Sequence, residues 1–194
     1  MVRNRIIAAL VSVVALVSMT GCSNATANVA ATVDGYVITE KAVRGAAAGM
    51  TEMLGSDPRF DGSDFVGFVL QSAVVGRMVT EALDQMGSPI ADDVRDQYWN
   101  QVYQDGMVEY PLWTDSRTRS AMVAMVDWEI VNDMAQNGKI DGNRFMELFN
   151  GFTVTVNPRY GTWDPDNMWV TSRTTGAVGN PLADPTVFAV PSPS

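Results

Sequence analysis

Between Glu40 and Phe149 apolar residues recur at helical spacing, and on either side of that stretch the period drops to two. Upstream, Val29 to Ile38 reads VAATVDGYVI, with β-formers flanking an Asp34-Gly35 pair, the strongest hairpin signal in the chain. Downstream, Phe152-Thr-Val-Thr-Val156 alternates apolar residues with threonine, as a half-buried strand does. A strand needs a neighbour to satisfy its backbone, and the body between these segments offers only helical patterns. The two ends must therefore pair with each other. The predicted fold class is mainly α (α+β): a bundle of about five helices with a small antiparallel sheet joining the N-terminal strand to a strand near the domain end.

The helices read from caps and stripes. Thr39 caps a helix from Glu40 to Leu54 whose middle, Arg44-Gly-Ala-Ala-Ala-Gly-Met50, is weak in intrinsic propensity and must be held by its neighbours. A longer helix runs from Ser63 to Met86, capped by Asp61 or Ser63, with Phe65, Phe68, Val69, Val75, Val79, Leu83 and Met86 at helical spacing. A third is expected from Ala91 to Gln104 with Val94, Tyr98 and Val102 as its stripe. A fourth runs from Asp115 to Asn137 with Met122, Val126, Ile130 and Met134 on one face, and Asp141 caps a last one through Phe149. From Asp164 onward Pro, Gly, Ser and Thr dominate, and five of the nine prolines fall in the last thirty residues. Residues 166–194 are expected to be a disordered tail.

The N-terminus reads as an address. Arg3 and Arg5 precede an apolar stretch from Ile6 to Val17 and then Ser18-Met-Thr-Gly-Cys22, which is the layout of a secretory signal over residues 1–21 and is short for a membrane span. The single cysteine stands at the cleavage point after Thr20-Gly21, and the run resembles the bacterial lipobox, with Met19 where Leu, Val or Ile is usual. The resemblance implies a diacylglycerol thioether on Cys22, with or without an acyl chain on its freed amine, and two or three chains give lasting anchorage. The alternative is an ordinary thiol beside a conventional cleavage site. Residues 22–28 would then be a short tether, and a mature chain lacking Arg3 and Arg5 would hold 11 basic against 22 acidic residues, a formal charge of −11.

Composition narrows the function. The 194 residues carry a formal charge of −9, which disfavours a phosphate backbone, so no nucleic-acid partner is expected. There is no histidine and one cysteine, which excludes His-based triads, Cys–His nucleophiles, His-ligated metals and an internal disulfide. No cofactor and no metal are expected. Asp92-Asp93 and Asp164-Pro-Asp166 are carboxylate pairs, but helix-dipole and turn chemistry account for them better than hydrolysis does. The Asp57 to Asp64 loop lacks the alternating oxygen ligands of a calcium loop.

The order of lipobox, Val29-Ala-Ala-Thr-Val-Asp-Gly35 strand, helical body and closing strand running into Asn157-Pro-Arg-Tyr-Gly-Thr-Trp-Asp-Pro165 resembles the SurA N-terminal chaperone domain, in the short lipoprotein form of Gram-positive bacteria. The resembling stretch, residues 29–165, would be the domain. Longer relatives carry a parvulin-type prolyl isomerase domain, for which residues 166–194 are too few. The resemblance thus implies a non-enzymatic, membrane-anchored extracytoplasmic chaperone-like lipoprotein. Its partners would be unfolded or partly folded secreted proteins, held by their apolar segments. The alternative is a structural or adaptor lipoprotein docking one folded envelope partner. Trp99, Tyr103 and Trp113 are the candidate client-binding residues, with core or loop-anchor duty as the competing role. The twelve methionines either fill the core or line an adaptable groove. Asn157 to Trp163 reads as a structural clasp in which Arg159 pairs with Asp164, with a recognition patch as the alternative.

Overall fold

The computed structural model describes residues 28–60, 64–102, 111–166 and 168–171. Strands β1 (Val29–Val33) and β2 (Tyr36–Thr39) form a hairpin closed by Asp34 and Gly35. Both residues have positive φ, 45° and 82°, the backbone that a two-residue turn between right-twisted strands demands. Helix α1 (Glu40–Leu54) follows directly, and the Thr39 side chain accepts from the Ala42 N–H. After a single 3₁₀ turn at Pro58–Phe60 come α2 (Phe65–Gln85), α3 (Asp92–Val102), α4 (Arg119–Gln136) and α5 (Gly142–Gly151). Strand β3 (Val154–Val156) then lies antiparallel to β1, with Val33 opposite Val154 and Ala31 opposite Val156, giving the order β2-β1-β3. The mainly helical fold with its two ends joined in one sheet is the one expected from the change of period.

Helix α2 is the centre of the molecule, crossing α4 and α1 and touching α5 and β1. Its length and composition would suit a membrane span, yet Leu70, Val74, Val79 and Leu83 are sealed inside by the neighbouring elements. Three helix starts differ from expectation. Asp64, whose carboxylate accepts from the Gly67 N–H at 3.0 Å, caps α2 in place of Asp61 or Ser63. Helix α3 begins at Asp92, its first turn closed by the Arg95 N–H on the Ala91 carbonyl. Helix α4 starts four residues later than Asp115, because residues 111–118 are wound into turns locked by the buried Thr118 hydroxyl, which donates to the Leu112 carbonyl at 2.7 Å. Asp141 caps α5 as expected, receiving the Asn143 and Arg144 N–H groups.

The end of the domain requires a correction. Residues 166–194 do not start the tail at Asp166: β4 (Thr162–Asp164) pairs antiparallel with β5 (Trp169–Thr171), Val170 is buried, and the Gln71 side-chain amide donates to the Met168 carbonyl at 3.0 Å. The domain therefore reaches at least Thr171. A three-residue strand is too short to register as a period, and its order comes from contact with α2.

Candidate functional site

Of the residues singled out for function, Cys22 and Tyr103 lie outside the described residues. Trp99 and Trp113 are described, and the fold brings them together. Their rings stack at 4.8 Å with 12° between planes, and they are 6% and 8% exposed. The cluster is tied by polar groups. Asp96 accepts from the Trp113 indole N–H at 2.8 Å and from Arg119 at 3.0 Å, while the Arg119 guanidinium lies 4.5 Å from the Trp113 ring centroid. The indole and then the Arg119 guanidinium hold the Asp96 carboxyl below its ordinary range. One turn before Trp99, Arg95 reaches the α4 carboxylate Asp127 through two bonds of 2.6 and 2.9 Å and Asp92 through a third. Burial pushes Asp127 up, and its bonds to Arg95 push the guanidinium up in turn.

In this arrangement the two tryptophans serve as core and loop anchors, the competing role named from the sequence. Their area is spent on holding α3 and the 111–118 turns against α4 and is not offered to a client. Among the described residues the methionines also lie largely inside: Met50, Met78, Met122 and Met125 are buried, and Met53, Met86 and Met134 lean on the same core. Among the described residues the exposed large apolar side chains are Tyr36, Val37, Val94 and Met146.

A concavity among the described residues lies between α1 and the start of α2. Ala47, Ala48, Thr51, Phe65 and Val66 form its walls, with Arg44 and Asp64 at its edges, enclosing about 340 Å³. Sequence reasoning passed over it, although the run of small residues between Arg44 and Met50 was the signal: alanines at that spacing leave room where larger side chains would fill it.

The Asn157 to Trp163 run is a clasp, with a correction to its ion pair. Asn157 donates from its side chain to the Val29 carbonyl and from its backbone to Ala30, and Arg159 reaches Glu40 at 2.5 Å, where Asp164 had been expected. Glu40 is also bonded by Arg44 at 2.7 Å, and these side chains hold its carboxyl below the ordinary value, Arg44 foremost. The Tyr160 phenol beside them is pushed up, chiefly by burial. The acidic pairs have local roles: Asp92 bonds Arg95, Asp57 bonds Arg59, and Asp164 accepts from the Asp166 N–H. Among the described residues no three Asp, Glu, His or Cys side chains converge as metal ligands.

No family model, curated protein or solved structure matches this chain. The functional reading therefore rests on its own residues and geometry.

Proposed function

We propose that the chain is a lipid-anchored, chaperone-like protein of the cell envelope that binds exposed apolar segments of secreted or envelope proteins and catalyses no prolyl isomerisation of its own. The observation that carries this reading is the combination of a lipobox-like Thr20-Gly21-Cys22 with the element order that follows it: hairpin, helical body, and a return strand paired to the first. That order is the one implied by the resemblance to the SurA N-terminal domain. Absence of histidine and the single cysteine leave binding, rather than bond chemistry, as the means of assisting a client. The α1–α2 groove and the half-exposed Tyr36-Val37 edge supply apolar surface for it.

A second reading, an adaptor docking one folded partner, is favoured by the burial of Trp99 and Trp113, since a general holdase relies on large accessible aromatic area. One pair of experiments separates the two. Soluble chain from residue 23 onward should suppress aggregation of several unrelated reduced clients without speeding isomerisation of a proline test peptide; suppression of none would leave the adaptor, and measured isomerase turnover would overturn the non-enzyme reading. Cys22→Ser should release the protein from membranes or leave uncleaved precursor, and mature-sized variant still in the membrane fraction would refute the anchor.

A further inference from the structure

The described chain begins at Asn28, and that point is clamped from two sides. The Asn28 carbonyl accepts from the Glu40 N–H at 2.8 Å, and the next two carbonyls, Val29 and Ala30, accept from the Asn157 side chain and backbone. The start of α1 and the turn after β3 therefore form one end of the domain, and three cations stand on it, two of them on a single carboxylate. Arg44 takes one oxygen of Glu40 and Arg159 the other, with the two guanidinium side chains 61% and 41% exposed. Lys41, one residue along α1, is exposed and makes no ion pair among the described residues. Among the other described residues, each arginine and Lys139 sits on a carboxylate. This end thus carries the opposite polarity to a mature chain of formal charge −11.

Chain length says what this end faces. Residues 23–28, six in all, separate Cys22 from β1 and span at most about 20 Å when fully extended. With a lipid on Cys22, Lys41, Arg44 and Arg159 are held within that reach of the headgroups, while the acidic remainder can turn away. We propose that this end of the domain, Lys41 together with the Arg44–Glu40–Arg159 group, rests on the phosphate headgroups of an anionic bilayer and fixes the orientation in which the anchored protein stands. The proposal depends on the reading of Cys22 as the anchor. It places α1 on its N-terminal turns, so that the α1–α2 groove begins beside the lipid at Arg44 and runs away from it toward Thr51.

The test uses the mature chain, residues 22–194, coupled through its single thiol to a maleimide lipid, so the anchor is supplied whether or not a cell modifies Cys22. Vesicles of phosphatidylcholine alone are compared with an equimolar mixture of phosphatidylcholine and phosphatidylglycerol, and amide hydrogen exchange is followed along the chain. On anionic vesicles, exchange should slow in residues 40–44 and 157–161, and high salt should abolish the effect. Lys41→Glu, which removes no internal bond, should lower occupancy of this orientation by about tenfold, whereas Arg144→Glu on α5 should leave it unchanged. Equal exchange on both vesicle types, protection on another face, or protection that survives Lys41→Glu would overturn the proposal. Any of these results would leave the anchor itself to be judged by the Cys22→Ser fractionation.

Discussion

Asp127 lies on the inward face of α4 between Val126 and Trp128 and is 1% exposed, so its charge persists only because Arg95 spans both carboxylate oxygens. Removing one partner leaves the other buried and uncompensated, which is costlier than never having had the pair. Asp127→Asn should therefore destabilise the protein by about 2–3 kcal/mol, less than for a sealed pair because Arg95 keeps its bond to Asp92. The double variant Arg95→Met with Asp127→Leu should recover most of that loss. Urea unfolding of the three proteins checks this, and a double variant no more stable than Asp127→Asn would show that the pair is not the source of the effect. Nothing in the sequence flagged Arg95 or Asp127. Residues 32 apart meet only after two helices have been placed side by side.

At the scale of elements, α3 shows how a helix read from its apolar stripe can lie turned from that stripe: Tyr98 leans on the core, but Val94 does not. Val94, Tyr98 and Val102 stand at i, i+4, i+8, and the expectation put that stripe inward; in the structure Val94 is 43% exposed and the inward residues are Arg95 and Trp99, one position on and about 100° round the helix. A bidentate ion pair and a tryptophan stack outweigh Val94 when a polar helix chooses how to lie on α4. The α2–α4 crossing is set by size instead. A Cβ built on Gly76 would stand 2.8 Å from the Ala124 Cβ, so the two helices approach as closely as they do only because Gly76 lacks a side chain. Gly76→Ala should cost about 1–3 kcal/mol through forced separation of the helices. Gly45→Ala on α1, where a Cβ meets open space, should instead stabilise by about 0.5–1 kcal/mol through helix propensity. Thermal unfolding of both variants checks the contrast, and equal shifts would remove the crossing as its cause.

For the whole molecule, the decisive connection is β1 to β3, which closes the chain on itself around the helices. Asp34 and Asn157 each donate a backbone N–H across this pair, to Thr153 and Ala30, and the antiparallel alternation then places the Thr155 N–H in the ladder and points the Val154 and Val156 N–H groups away from β1. Thr155→Pro should therefore cost about 3 kcal/mol or more, whereas Val154→Pro on the same outer strand should cost clearly less. Melting temperatures in the reverse order would mean that the register is wrong. Much of this architecture was legible beforehand. The period of two at each end, the Asp34-Gly35 turn, the Thr39 and Asp141 caps and the apolar stripes of α2 and α4 are local signals, and by elimination they dictated that the termini pair. What only the tertiary structure decided are the meetings between elements: Trp99 on Trp113, Arg95 on Asp127, Arg159 on Glu40 and Val170 beneath α2. Periodicity states which face of an element is buried, but which side chain waits there depends on crossing angles and axial offsets, and those are settled by how the side chains of two distant segments interlock.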